Sequence, residues 1–168
     1  MMAIDKNYTF ILVCHFEGYE TPISIRVRKR ETERFQDFLE KLNECSTSPN
    51  FFTCDTLDGT RVGLNLLHIQ ALSLCWEPSA FPEEEKFREG PMKLLFKGRA
   101  GFIESHISES ENLSAFFEHL EMFPDTGLRF DSFEDEDGEL FYANLKDLSL
   151  IEAPKAFLQS SAEAPPPF

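Results

Sequence analysis

The chain is poor in the features that announce chemistry. Of its 168 residues only four are cysteine (Cys14, Cys45, Cys54 and Cys75), spaced 31, 9 and 21 positions apart. They form no Cys-x-x-Cys pair and have no histidine at zinc-binding spacing. That argues against a zinc site or a dithiol redox pair and points to reduced thiols in the cytoplasm. No apolar run approaches the ~20 residues that cross a bilayer. The opening segment MMAIDKNYTFILVCHFEG has an acid ahead of a short apolar run and no small-residue cleavage site, so it does not read as a signal peptide.

Positive charge is the most consequential shortage. Sixteen Lys and Arg face thirty Asp and Glu, a net of −14. Residues 1–75 carry eight basic and ten acidic side chains, a net of −2, whereas residues 76–168 carry eight and twenty, a net of −12. Nucleic-acid affinity comes from neutralising phosphates, so the second half disfavours nucleic acid and anionic membrane as partners. The one basic cluster, Arg26, Arg28, Lys29 and Arg30, is followed by Glu31 and Glu33 and reads as a solvated strand end.

Catalytic and cofactor grammar is also missing. There is no phosphate-cradling glycine loop, no nucleophile elbow and no two-histidine metal spacing, and no cofactor is expected. The four histidines are scattered; Cys14 and His15 adjoin on a predicted strand and so face opposite sides. The chain is expected not to be an enzyme.

What the sequence has in excess is phenylalanine, eighteen against one Trp and three Tyr. It also has an internal echo. Setting Asp58-Gly59 on Asp137-Gly138 brings Asn65 onto Asn144, Leu66 onto Leu145 and Ile69 onto Leu148. Upstream, Phe35, Phe38, Leu39 and Leu42 match Leu113, Phe116, Phe117 and Leu120, while Ile23, Ile25 and Val27 fall weakly on Gly101, Ile103 and Ser105. Each copy contains two alternating segments, an amphipathic stretch with i, i+3, i+4, i+7 spacing, an Asp-Gly turn between β-rich runs and a closing strand. The expected fold is α+β, a tandem duplication of a ββαβββ module, each a small bent antiparallel sheet or partial barrel with one packed helix. The units are 1–76, an acidic proline-containing linker 77–91, the acidic second module 92–152 and a flexible Ala/Pro tail 153–168.

Glu134, Asp135, Glu136 and Asp137 before Gly138 suggest a calcium loop. With Gly138 in the sixth place of an EF-hand loop, however, the first place falls on Phe133 and the last on Asn144, so the bidentate acid is absent. The stretch reads as a hairpin turn and no metal is expected. Asn65 and Asn144 read as corner formers that bond nearby backbone.

Two groups are the candidate partner-binding residues: the aromatics Trp76, Phe81 and Phe87 around the linker, and the acids Glu134, Asp135, Glu136 and Asp137. The expected function is a non-catalytic cytoplasmic protein-binding accessory, adaptor or assembly factor. The alternative is an acidic inhibitor or immunity protein, including a nucleic-acid mimic, that blocks a basic target. The expected partner is another protein, and a monomer is expected because each copy has a sheet edge the other can satisfy.

Overall fold

The computed structural model describes residues 8–44, 49–78, 90–107, 111–125 and 128–162. Leu12, Cys14 and Phe16 alternate along the chain and all face inward from β1 (Tyr8–Phe16), which turns through Gly18 into β2 (Ile23–Val27). The Phe35, Phe38, Leu39 and Leu42 stripe lies along α1 (Lys29–Glu44). β3 (Phe51–Asp55), β4 (Thr60–Asn65), a 3₁₀ turn at Leu66–His68 and β5 (Ile69–Pro78) follow. The second half runs β6 (Met92–Phe96), β7 (Ile103–Ser105), α2 (Glu111–Met122), β8 (Phe130–Glu134), β9 (Leu140–Asn144) and β10 (Leu148–Pro154), then α3 (Lys155–Ala162).

The fold is α+β with three antiparallel sheets, ordered β2-β1-β5, β3-β4-β10-β6-β7 and β8-β9. The ββαβββ order occurs twice, and so does its wiring. β1 pairs with β2 and β5 as β6 pairs with β7 and β10, and β3 pairs with β4 as β8 pairs with β9. A bulge interrupts β5 between Ile69 and Ala71, and another interrupts β10 between Leu148 and Leu150, at matching places. Bonds between distant loops recur as well. Glu17 N donates to His68 O at 2.9 Å and Lys97 N to Asp147 O at 2.8 Å; Leu57 N donates to Arg26 O and Glu136 N to His106 O. In the first two strands the matching register is Ile23 with Ile103 and Ile25 with Ser105, two positions from the weak sequence match, because Gly18 and Gly98 set the two hairpin turns.

The sheets do not stop at the boundary between halves. β4 lies along β10, so the first half's β3–β4 hairpin extends the second half's sheet. One core gathers Leu12, Phe16, Phe35, Phe52 and Leu64 with Leu95 and Leu150 of the second half. The other gathers Leu113, Phe116, Phe117, Leu120 and Phe133 with Phe51 of the first. Residues 153–162, expected as part of a flexible tail, instead complete β10 and form α3, because Leu158 buries itself in that second core. Residues 163–168 lie outside the described residues.

Candidate protein-binding surface

Three polar arrangements could have been chemical sites. The first is a cleft of 360 Å³ between α1, the β3–β4 hairpin and the end of α2. Its charges answer one another. Arg34 Nη1 donates to the buried Glu31 carboxylate at 2.7 Å, Arg34 Nη2 donates to Thr53 O, and the guanidinium lies 5.2 Å from the Phe52 ring centroid. Arg61 grips Asp55 through Nε at 2.7 Å and Nη2 at 3.3 Å, and Lys155 Nζ approaches the same carboxylate at 3.4 Å. Burial raises the Asp55 pKa, but the hydrogen bond and charge of Arg61, then Lys155, outweigh it and hold the carboxyl below its ordinary value. Cys54 lines this cleft, and its thiol is pushed far up by burial and then by Glu31, so it is a poor nucleophile. Burial likewise pushes Cys14 up to about 12. The polar groups of the cleft are used internally: Arg34 ties α1 to the hairpin through Thr53 O, and Lys155 ties the hairpin to the start of α3 through Asp55.

The second is a histidine–serine pair that lies 81 positions apart in sequence: His68 Nδ1 and Ser149 Oγ share a hydrogen bond of 2.8 Å. Burial, then the charge of Lys97, holds the His68 pKa below its ordinary value. Ser149 is almost wholly enclosed, so its hydroxyl braces the corner and is not presented to a substrate. Asn65 completes the brace: its Oδ1 accepts from Leu67 N at 3.1 Å and its Nδ2 donates to Leu148 O at 3.0 Å.

The third is the acidic turn. Asp135 Oδ1 accepts from Asp137 N at 2.9 Å and Glu139 N at 2.8 Å, as Thr56 Oγ1 accepts from Asp58 N and Thr60 N in the first half. Gly138 takes φ +84° and Gly59 +80°, the left-handed conformation that glycine adopts without strain. One of the four predicted acids, Asp135, is therefore occupied in shaping the turn, whereas Glu134, Glu136 and Asp137 point into solvent. No group of three His, Cys, Asp or Glu side chains able to hold a metal occurs among the described residues.

Leu67 is exposed at the Asn65 corner, but other exposed apolar side chains gather elsewhere. Phe130 (53% exposed), Leu140 (58%) and Tyr142 (61%) share one face of the β8–β9 hairpin, since Ser132 pairs with Tyr142 and Glu134 with Leu140. The opposite face is buried, with Phe133 stacked on Phe141 at 5.1 Å. Trp76, 64% exposed, stands opposite Phe10 of β1 on β5, the closing strand, which runs two residues further, to Pro78. Among the described residues β5 is an edge strand, and β9 pairs with β8 alone. Unpaired edges beside exposed aromatics are a template for adding another chain. Of the sequence-predicted contacts, Trp76 and the acidic turn are thus on the surface, while Phe81 and Phe87 lie outside the described residues. Phe130, Leu140 and Tyr142 were missed; the run LFYA at 140–143 is apolar throughout, so it marks a strand without saying which face stays bare.

Comparison with protein-family models, with curated proteins and with solved structures returns no match. No helix among the described residues is long and apolar enough to cross a membrane.

Proposed function

We propose that this chain is a non-catalytic, cytoplasmic protein-binding component, an accessory or assembly factor, that engages its partner through the bare face of the β8–β9 hairpin and the edge of β5. The supporting observation is the concentration of Phe130, Leu140, Tyr142 and Trp76 at two sheet edges left unpaired among the described residues. Tyr and Trp are the side chains most often found as energetic anchors of interfaces. Paired polar groups in the cleft and at the corner support the same reading, because their bonds are used internally.

A second reading, the acidic inhibitor of a basic target, draws on Glu134, Glu136 and Asp137 projecting from the tip of the same hairpin. The two are separated by affinity capture from the native cell at physiological salt. A Leu140→Lys/Tyr142→Lys chain should lose a stoichiometric partner, while Glu134→Gln/Glu136→Gln/Asp137→Asn should keep it. The reverse pattern, with binding that fades as salt rises, favours the inhibitor. A partner retained by both variants overturns both readings.

A further inference from the structure

The contact that joins the two halves is made once and left open once. β4 lies along β10 with Leu64 opposite Leu150, Gly63 opposite Ile151 and Thr60 opposite Pro154. The strands at the equivalent places are β9 and β5, and among the described residues neither has a neighbour on that side. Resting on the reading that this surface binds protein, we propose that its partner is a second copy of this chain. β9 of one molecule adds to the β5 edge of the next, head to tail, in the register β4 takes on β10. That register sets Tyr142 opposite Leu72, Leu140 opposite Leu74 and Glu139 opposite Cys75.

The seat for the incoming strand is already formed. Inside the chain, β4 presses onto α2 and β10 so closely that a Cβ on Gly63 would lie 3.0 Å from Ile151 Cγ2 and 3.1 Å from Leu120 Cδ1. The equivalent positions in the first half are Leu72 and Leu42. With Phe35, Leu39, Leu66 and Ile69 they line an apolar groove of 220 Å³ between α1 and β5 that nothing in the chain fills among the described residues. The residue at the place of Gly63 is Tyr142, an exposed ring. An open apolar hole and a protruding ring stand where the internal junction has a filled space and a bare glycine.

The surrounding positions change in concert. Asp55, Arg61 and Lys155 hold the internal junction by ion pairs. Their equivalents are Glu134, Leu140 and Trp76, so one pair of charges is replaced by two exposed apolar side chains that the register brings together. Phe51, buried under α2 with its ring 5.9 Å from Phe123, corresponds to the exposed Phe130. The α1 helix of a second copy covers Phe130 as α2 covers Phe51. Thr53 Oγ1, which donates to Glu121 at 2.6 Å, corresponds to Ser132, and Glu121 to Asn43, so a hydrogen-bonding pair is retained at that place. Head-to-tail contact also sets the −12 half of one molecule against the −2 half of the next, whereas a symmetric contact through β8–β9 would oppose two acidic hairpins. A contact of this kind closes into a ring or extends as a filament.

A crosslink tests the register. Lys155 N donates to Gly59 O, so the neighbouring Pro154–Thr60 pair is of the non-hydrogen-bonded kind, with Cα atoms about 4.5 Å apart. Cys75 and Glu139 occupy the equivalent places, and Cys75 is exposed, so Glu139→Cys puts two thiols within disulfide reach. With Cys45, which lies outside the described residues, replaced by Ser, the full chain carrying Glu139→Cys should give a ladder of covalent dimers, trimers and higher species on mild oxidation. Cys75→Ser should abolish it. Sedimentation of the natural sequence should show mass rising with concentration, and Tyr142→Lys should weaken association about tenfold or more without moving the unfolding midpoint measured at dilutions where the natural chain is monomeric. A chain that stays monomeric at every concentration, or dimers linked through Cys75 alone, overturns the proposal. If self-association is absent yet Leu140→Lys/Tyr142→Lys loses a different captured protein, only this inference falls; if neither depends on those residues, the proposed function falls with it.

Discussion

At Asn65 and Asn144 the same side chain closes the same corner, each accepting from the backbone N–H two residues on, at 3.1 and 3.2 Å. Their surroundings differ. Asn65 is buried and also donates to Leu148 O, whereas Asn144 is half-buried and reaches Asp147 at 3.4 Å. The brace at the buried corner includes His68, whose pKa is lowered by burial and by Lys97. A histidine kept neutral in the folded state lets the unfolded chain take up the proton first. Stability is therefore greatest above the unfolded value of about 6.5 and falls as pH drops below it, until the folded imidazole is itself protonated. Urea midpoints across that window should decline for the natural sequence and decline less steeply for His68→Gln; parallel slopes would contradict a neutral buried His68. Asp55 acts in a separate, lower window: its carboxyl is held below the ordinary 3.8, so its contribution is present above that pH and lost as pH falls through the folded value.

Hairpins show what an element does with equivalent positions. The tips of β3–β4 and β8–β9 were legible in sequence because Asp-Gly pairs demand a left-handed glycine, and the Asn corners followed from turn chemistry. Which face each hairpin buries was not legible. Gly63 looks like a weak point in a strand pattern, yet it lies where side chains of α2 and β10 leave β4 no room for a Cβ. Gly63→Val should therefore cost about 1–3 kcal/mol by overpacking, seen as a lower urea midpoint with an unchanged slope. An unaltered midpoint would mean that the hairpin is not seated against Leu120 and Ile151.

For the whole molecule, the expected boundary at 76 to 92 describes the order of elements better than the cores. Removing everything after residue 78 takes away Leu95 and Leu150 from one core and strips β10 from β4. A fragment ending there should lack a cooperative unfolding transition and show poor dispersion of amide resonances; a sharp transition would make the first half self-sufficient.

Local grammar alone determined the strands, both long helices, the turns and their repetition, because alternation, 3.6-residue periodicity and Asp-Gly are read from neighbouring residues. Ion pairs such as Asp55–Lys155, the His68–Ser149 bond and the β4–β10 junction join residues about a hundred positions apart or nearly so, and no nearby residue encodes them. Only the tertiary structure decided that one pair of sheet edges closes while the other, among the described residues, stays open. Strand edges present the same backbone groups whatever their side chains, so their pairing is settled by which surfaces the rest of the chain brings alongside.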